Sequence, residues 1–252
     1  MVRGGCPRRR GRAPIMWSMT ETIRVNFGKP IALFPLTDTV LLPHALLPLH
    51  IFEPRYRQMV SHCLDRTGQI AVGTFERRGR RRPGRREPAR VRLAVCVGQI
   101  VQHDALSGGR FNILLHGVCR ARIRQILEPE GDRAYRMAML APLETGDGPP
   151  QSMPKVREDL RTLLSGPRLK RLRDIQKIMQ WIDEEEMPTH ALLELIGFVL
   201  VRNTELRYQL LAEADPVRRA GIIRGELAYL DGVVRRTDGQ DYRSWPKGQS
   251  WN

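Results

Sequence analysis

Prolines at positions 35, 43, 48 and 54 cut the apolar stretch 31–56 into pieces too short for a helix. Inside a helix a proline removes a backbone donor and clashes with the preceding turn; inside a central strand it removes a ladder bond. The runs 31–34, 40–42 and 45–52 therefore predict edge strands, bulges and tight connections, with Thr37-Asp38-Thr39 as a turn. The period changes after Phe52. Glu53 can accept at an N-cap, Pro54 suits the first helical position, and Tyr56, Met59, Val60, Cys63 and Leu64 follow at helical spacing. With Gly68 as the stop, a helix over 54–66 is expected, carrying Glu53 and Arg57 as an i,i+4 ion pair.

Strand periods take over from Gln69. Strands are expected over 70–75, 91–102, 110–115 (entered through the turn Ser107-Gly108-Gly109) and 135–140, and an arginine-rich loop 77–90 joins the first two. Arg120, Arg122 and Arg124 alternate with Ala121, Ile123 and Gln125, which puts three arginines on one strand face. Residues 145–154 are rich in Gly and Pro and read as a linker. Helical spacing follows: Val156 to Leu164, Leu169 to Ile182, 191–201 capped by Thr189, a helix around Leu206, Leu210 and Leu211, and one from Asp215-Pro216 to about Val234. The fold class is α+β. Its divisions are a basic extension over 1–26, a β-rich subdomain over 27–145, a helical subdomain over 155–235, and a weakly ordered tail over 236–252 that holds Trp245 and Trp251.

Charge bears on function. The chain has 42 Lys+Arg against 27 Asp+Glu, a formal net charge of +15. Two runs carry most of it: five arginines in 1–20, and nine in 77–92 against Glu87. The rest is near neutral, so the excess belongs to two Gly- and Pro-containing segments of an ordinary folded chain. The first run is followed by too short an apolar stretch for an export signal, and Met16 and Met19 beyond it are alternative starts. With four scattered cysteines, no C-x-x-C pair and no apolar run long enough to span a bilayer, the expectation is a cytoplasmic protein with reduced thiols and no membrane contact.

Searches for chemistry return little. Around Gly28-Lys29 the phosphate-loop pattern fails, since Ile23 replaces the first glycine and Pro30 the Ser/Thr. Ser107 sits in a hairpin turn, where a nucleophile elbow would need a helix to follow. The carboxylates of Asp183 to Glu186 point in different directions on a helix end. His50 is expected to be hydrogen-bonded and partly buried, and His62 and Cys63 point about a third of a turn apart. No catalytic set, cofactor or metal site is expected. Two candidate interfaces are left. Arg77, Arg78, Arg80, Arg81, Arg82, Arg85 and Arg86 could clamp a phosphate backbone or be a solvated loop, the latter favoured because stacking aromatics are lacking. The segment 31–52 is core, or it leaves an open strand edge for an extended peptide.

One further feature is distinctive: Leu33-Phe34-Pro35-Leu36, then Val40-Leu41-Leu42-Pro43, then Leu47-Pro48-Leu49-His50-Ile51-Phe52-Glu53-Pro54-Arg55-Tyr56. A second block follows, Val97-Gly98-Gln99-Ile100-Val101 and Gly109-Arg110-Phe111-Asn112-Ile113-Leu114-Leu115-His116-Gly117. Both resemble the LON substrate-binding domain, which forms the N-terminal part of the ATP-dependent protease Lon and also occurs alone in bacteria. The resemblance covers about 30 to 235. It implies a PUA-like β-barrel with one early helix, a C-terminal α-helical bundle, and non-catalytic recognition of protein or exposed peptide segments. Nucleic-acid binding through 77–92 is the alternative. Pro35, Pro48, His50, Phe52, Glu53, Pro54, Arg55 and Tyr56 are its motif residues, expected to be structural. The ATPase and protease modules of Lon find no counterpart here, so neither ATP nor peptide hydrolysis is expected. The basic insertion lies outside the family pattern.

Overall fold

The structure, a computed structural model, describes residues 23–76, 90–143, 153–172 and 174–237. Six strands form one sheet: β1 (Ile31–Leu36), β2 (Leu46–Ile51), β3 (Gln69–Thr74), β4 (Ala94–Leu106), β5 (Arg110–Leu127) and β6 (Met137–Pro142). Their order is β2-β5-β4-β3-β1-β6, and β6 pairs again with β5. Five strands thus close into a barrel, and β2 hangs outside it on the first half of β5. Helix α1 (Pro54–Leu64) lies between β2 and β3 in sequence. After the strands come α2 (Met153–Leu164), α3 (Ile175–Asp183), α4 (Thr189–Leu200), α5 (Thr204–Ala212) and α6 (Pro216–Thr237). The fold is α+β, as expected.

Alternation along the strands sorts side chains into two cores. Leu33, Ala71, Val95, Val97, Ala121 and Ile123 fill the barrel interior. Phe34, Val72, Ala94 and Cys96 point outward, and α1 and the later helices cover them in one continuous second core. β1 and β3 run parallel and are buried on both faces, which accounts for their unbroken apolar sequence.

The proline stretch behaves differently from expectation at two points. β1 is no edge strand: it pairs with β3 along its length and with β6 at Ile31 and Ala32. Buried Pro35, opposite Gly73, is tolerated because the β6 pairing has ended before it. Residues 40–42 form no strand; Val40, Leu41 and Leu42 are irregular and almost fully buried. Leu42 is wedged between the halves. A Cβ on Gly117 would sit 2.1 Å from the Leu42 carbonyl oxygen, and one on Gly197 of α4 would sit 3.4 Å from a Leu42 methyl. Only glycine allows β5 to approach that backbone so closely.

Other local expectations change too. The predicted 110–115 strand and the Arg120 alternation are one strand, β5, with register shifts near Val118 and Arg124. The predicted 169–182 helix is a short 3-10 turn (Leu169–Arg171) and then α3, because Leu172 adopts extended backbone. Thr189 begins α4 without capping it, and Pro188 holds the cap position. Glu53 makes no cap hydrogen bond. Its carboxylate takes Arg55 at 2.8 Å, while Arg57 donates 2.9 Å to the Gly109 carbonyl, so the Glu53–Arg57 pair does not form. Gly68 does end α1, at φ 69°, donating to the Cys63 carbonyl.

A candidate protein-recognition face

β2 is paired on one side alone among the described residues. Its burial alternates: Leu47, Leu49 and Ile51 turn inward, while Leu46, Pro48 and His50 are exposed, followed by exposed Phe52. Phe52 is 61% exposed and Leu46 38%. An edge strand ordinarily puts polar or charged groups on its water side. Here that row is Leu, Pro, His and Phe.

Cross-strand register extends the row into a face. Leu46 lies opposite His116, Pro48 opposite Leu114, and His50 opposite Asn112. Beyond β5, Gln102 of β4 lies opposite Leu114 and Asp104 opposite Asn112. The result is a mixed face: Leu46, Pro48 and Leu114 form an apolar patch bordered by His116 and Gln102, and His50, Asn112 and Asp104 make the far end polar. At that end His50 Nδ1 is 2.7 Å from Asn112 Oδ1, and the His50 ring stacks on Phe52 at 6.1 Å. His50 is hydrogen-bonded as expected, but it is exposed rather than partly buried: among the described residues its strand carries no further neighbour.

The backbone of β2 is equally specific. Gly117 donates to the Ala45 carbonyl at 2.9 Å, and His44, at φ 62°, donates to Gly117 at 2.7 Å, so a bulge starts the strand. Bonded and non-bonded positions alternate from there, which puts Leu46, Pro48 and His50 on non-bonded pairs with their nitrogens facing the open edge. Pro48 has no N–H to offer, so the donor row is interrupted at its middle.

The remaining motif residues anchor this face. Pro54 starts α1, Arg55 pairs with Glu53 and lies 4.5 Å over the Tyr56 ring, and Tyr56 is buried against Phe34 at 4.5 Å. Burial and the neighbouring Glu53 outweigh the Arg55 charge and raise the Tyr56 hydroxyl above its ordinary range. Pro35 and Tyr56 are therefore buried in the packing, Pro54 stands exposed at the start of α1, and Pro48, His50 and Phe52 are presented to solvent.

The arginine candidates divide. Arg77, Arg78, Arg80, Arg81, Arg82, Arg85 and Arg86 lie outside the described residues. Their flanks are clamped together: Phe75 bridges Val91, and Glu76 N donates 2.8 Å to the Arg90 carbonyl. Arg92 is engaged with the helical half, gripping Glu205 of α5 with two bonds of 2.6 and 2.8 Å and stacking 3.4 Å over Tyr208. The three arginines alternate with the interior residues Ala121 and Ile123 as expected, but they are not equally open to solvent. Arg122 and Arg124 are exposed, but Arg120 is 1% exposed. It pairs with buried Glu194 of α4, and Arg219 of α6 reaches the same carboxylate at 3.0 Å. Strand alternation placed Arg120 on the outer wall correctly; it carried no sign that helices cover that part of the wall.

Nucleophile candidates are also resolved. His62 Nδ1 is 3.2 Å from the Tyr135 hydroxyl, while Cys63 donates to the Gln69 carbonyl, so the two side chains have separate partners. Burial pushes the Cys63 thiol up to about 12 and raises Cys96 well above its usual range, which suppresses thiolate in both. Among the described residues no group of three or more His, Cys, Asp or Glu could hold a metal ion, and no helix is long and apolar enough to cross a membrane. The residues that sequence reasoning missed are Leu46, Asn112 and Asp104; the apolar outward positions of 45–52 held the signal for the first.

Comparison with known proteins places this arrangement. The chain is 25% identical over 227 residues to Lon protease of Desulfovibrio desulfuricans, covering 86% of the chain but 23% of that protein. It thus spans about a quarter of the curated relative's length. The N-terminal domain of Mycobacterium avium complex Lon protease superposes with a TM-score of 0.61 at 19% identity, over 79% of this chain and 98% of that one. The Lon N-terminal domain protein from Xanthomonas campestris gives 0.54 at 20% identity, over 78% and 98%. These likenesses fix the fold. The sequence pattern of the ATP-dependent protease La (LON) substrate-binding domain matches residues 30–228, from the strand that holds Pro35 to the last helix, and the chain belongs to that family.

Proposed function

We propose that this chain is a non-catalytic recognition module that receives exposed apolar segments of other proteins on the open face of β2, β5 and β4. The observation that carries this is the solvent-facing row Leu46, Pro48, His50 and Phe52, on and just beyond a strand paired on one side alone among the described residues. Membership of a substrate-binding family supports a recognition role. Because Pro48 interrupts the donor row, side-chain burial supplies most of the affinity, with main-chain pairing secondary. The division into a β-rich unit over 27–145 and a helical unit over 155–235, a cytosolic setting, and motif residues that shape the face without reacting are parts of the same proposal. Nucleic acid is the weaker reading, since Arg92 and Arg120 are engaged inside the chain.

Fluorescence anisotropy with labelled, reduced and carboxymethylated α-lactalbumin, a soluble unfolded protein, tests this. Combining Leu46→Ser with Phe52→Ser should weaken binding about tenfold or more, the equivalent of losing one buried large apolar side chain. The melting temperature should stay unchanged. Unaltered binding in the double variant, or binding that falls steeply with salt and vanishes on deletion of 77–89, would overturn the proposal.

A further inference from the structure

The far end of the β2 face holds chemistry that apolar burial does not use. His50 of β2, Asn112 of β5 and Asp104 of β4 lie opposite one another in register, so their side chains stand in a row on one side of the sheet. All three are exposed. His50 Nδ1 is 2.7 Å from Asn112 Oδ1. An amide oxygen only accepts, so Nδ1 carries the proton and neutral His50 keeps Nε2 as an acceptor. Asp104 adds a carboxylate that forms no ion pair among the described residues. Beside them Phe52 stacks on the His50 ring and is largely exposed. The neighbouring charges are engaged: Arg110 donates to the Ser107 carbonyl at 3.1 Å, and Arg55 pairs with Glu53 at 2.8 Å.

We infer that this end receives an arginine, and that the preferred partner of the β2 face is an extended segment with an arginine two positions from an apolar residue. This rests on the reading of that face as a protein-recognition surface and names the chemistry it selects. Adjacent strands lie about 4.8 Å apart, which puts the His50 and Asp104 backbones about 10 Å apart with Asn112 between them. A guanidinium is a planar fork of five N–H donors. Lying over Asn112, it meets the Asp104 carboxylate with one edge and His50 Nε2 with the other, while the Phe52 ring offers its face to the cation. An ammonium is a compact charge and engages these acceptors one at a time; a carboxylate is repelled by Asp104. The spacing follows from the strands. Pro48 and Leu114 lie two residues from His50 and Asn112, and positions two apart on an extended segment share a side at about 7 Å. The site also stands well away from Glu76 and Arg90, the flanks of the basic insertion: Asp104 is roughly 30 Å along β4 from Ala94, at about 3.3 Å per residue.

The test uses the full chain and fluorescein-labelled peptides of alternating leucine and threonine. They are identical but for one position, two residues from the last leucine, which holds arginine, lysine or glutamate. In anisotropy titrations at physiological ionic strength the arginine peptide should bind about threefold more tightly than the lysine peptide and about tenfold more tightly than the glutamate peptide. Asp104→Asn, at an exposed position, should remove most of that difference, and Asp104→Arg should reverse it in favour of glutamate. Arginine bound no more tightly than lysine or glutamate, with binding still lost on combining Leu46→Ser with Phe52→Ser, would overturn the inference and leave the recognition face standing. An arginine preference indifferent to Asp104→Asn would overturn it as well, and no binding of any of the peptides would overturn both readings.

Discussion

Under the helices, the outer wall of the barrel carries Arg120, held with Arg219 on a single buried carboxylate; on β2, outside the barrel, the opposite face of the sheet carries exposed Leu46 and Pro48, with exposed Phe52 just beyond. The usual distribution of polar and apolar groups is reversed between the two regions. The difference lies in partners. Arg120 also donates to the Leu210 carbonyl, so its charge and several of its hydrogens are satisfied within the protein. The β2 row has no such complement among the described residues, and an apolar strip rimmed by polar groups is the usual mark of an interaction surface. Polarity alone therefore did not decide which side chains are inside.

The strongest way to break this contrast is at the buried carboxylate. Glu194→Ala leaves Arg120 and Arg219 without their acid, and a loss of about 3–5 kcal/mol in urea unfolding is expected. A loss below 1 kcal/mol would mean that the seam is wetter than the structure shows. Next comes Leu42→Ala, which empties the buried side-chain space beside Gly197 and should cost about 2–5 kcal/mol by the same measurement. Leu46→Ala, four residues on, should change stability by no more than about 0.5 kcal/mol; comparable losses at 42 and 46 would erase the distinction.

Acid and alkali sharpen it further. His116 sits at the border of the two regions, its ring 6.5 Å from His44, which in turn is 5.9 Å from His190 of α4. Burial lowers the His116 pKa, so the unfolded chain takes up the proton first. Stability should then fall as pH drops below about 6.5, and His116→Gln should flatten that limb of the curve. Cys63 acts at the other end. Its thiol titrates at about 12 when folded but near 8.5 when unfolded, so stability should decline across that interval, and Cys63→Ala should remove part of the slope. The smallest effect belongs to Pro48→Val, which restores an outward N–H to the edge of β2. It should leave stability nearly unchanged and raise self-association in sedimentation velocity. An unchanged monomer fraction would show that proline is not what guards this edge.

Much of this was legible in the residues. Local signals sufficed for α1 and its stop at Gly68, for the Ser107–Gly109 turn, and for Asp215, whose carboxylate accepts from Val217 N at the start of α6. What escaped was non-local. The break at Leu172 and the merging of β5 depend on packing rather than on apolar spacing. The fate of Arg120 depends on Glu194, far away in sequence, and the solvent exposure of His50 depends on the place of β2 at the end of the strand order among the described residues. Periodicity reports which residues share a face; it does not report what lies against that face.

The clamp at the foot of the basic insertion has a consequence for how such a chain can diversify. Glu76 and Arg90 are joined by backbone, and Arg92 N donates to the Thr74 carbonyl just beneath them. The barrel is therefore complete below that point, whatever lies between residues 77 and 89. Doubling the length of such a loop costs only about 0.6 kcal/mol of closure entropy. The position is a socket: a different peptide, tag or recognition sequence could be grafted there while the β2 face and the helical seam keep their geometry.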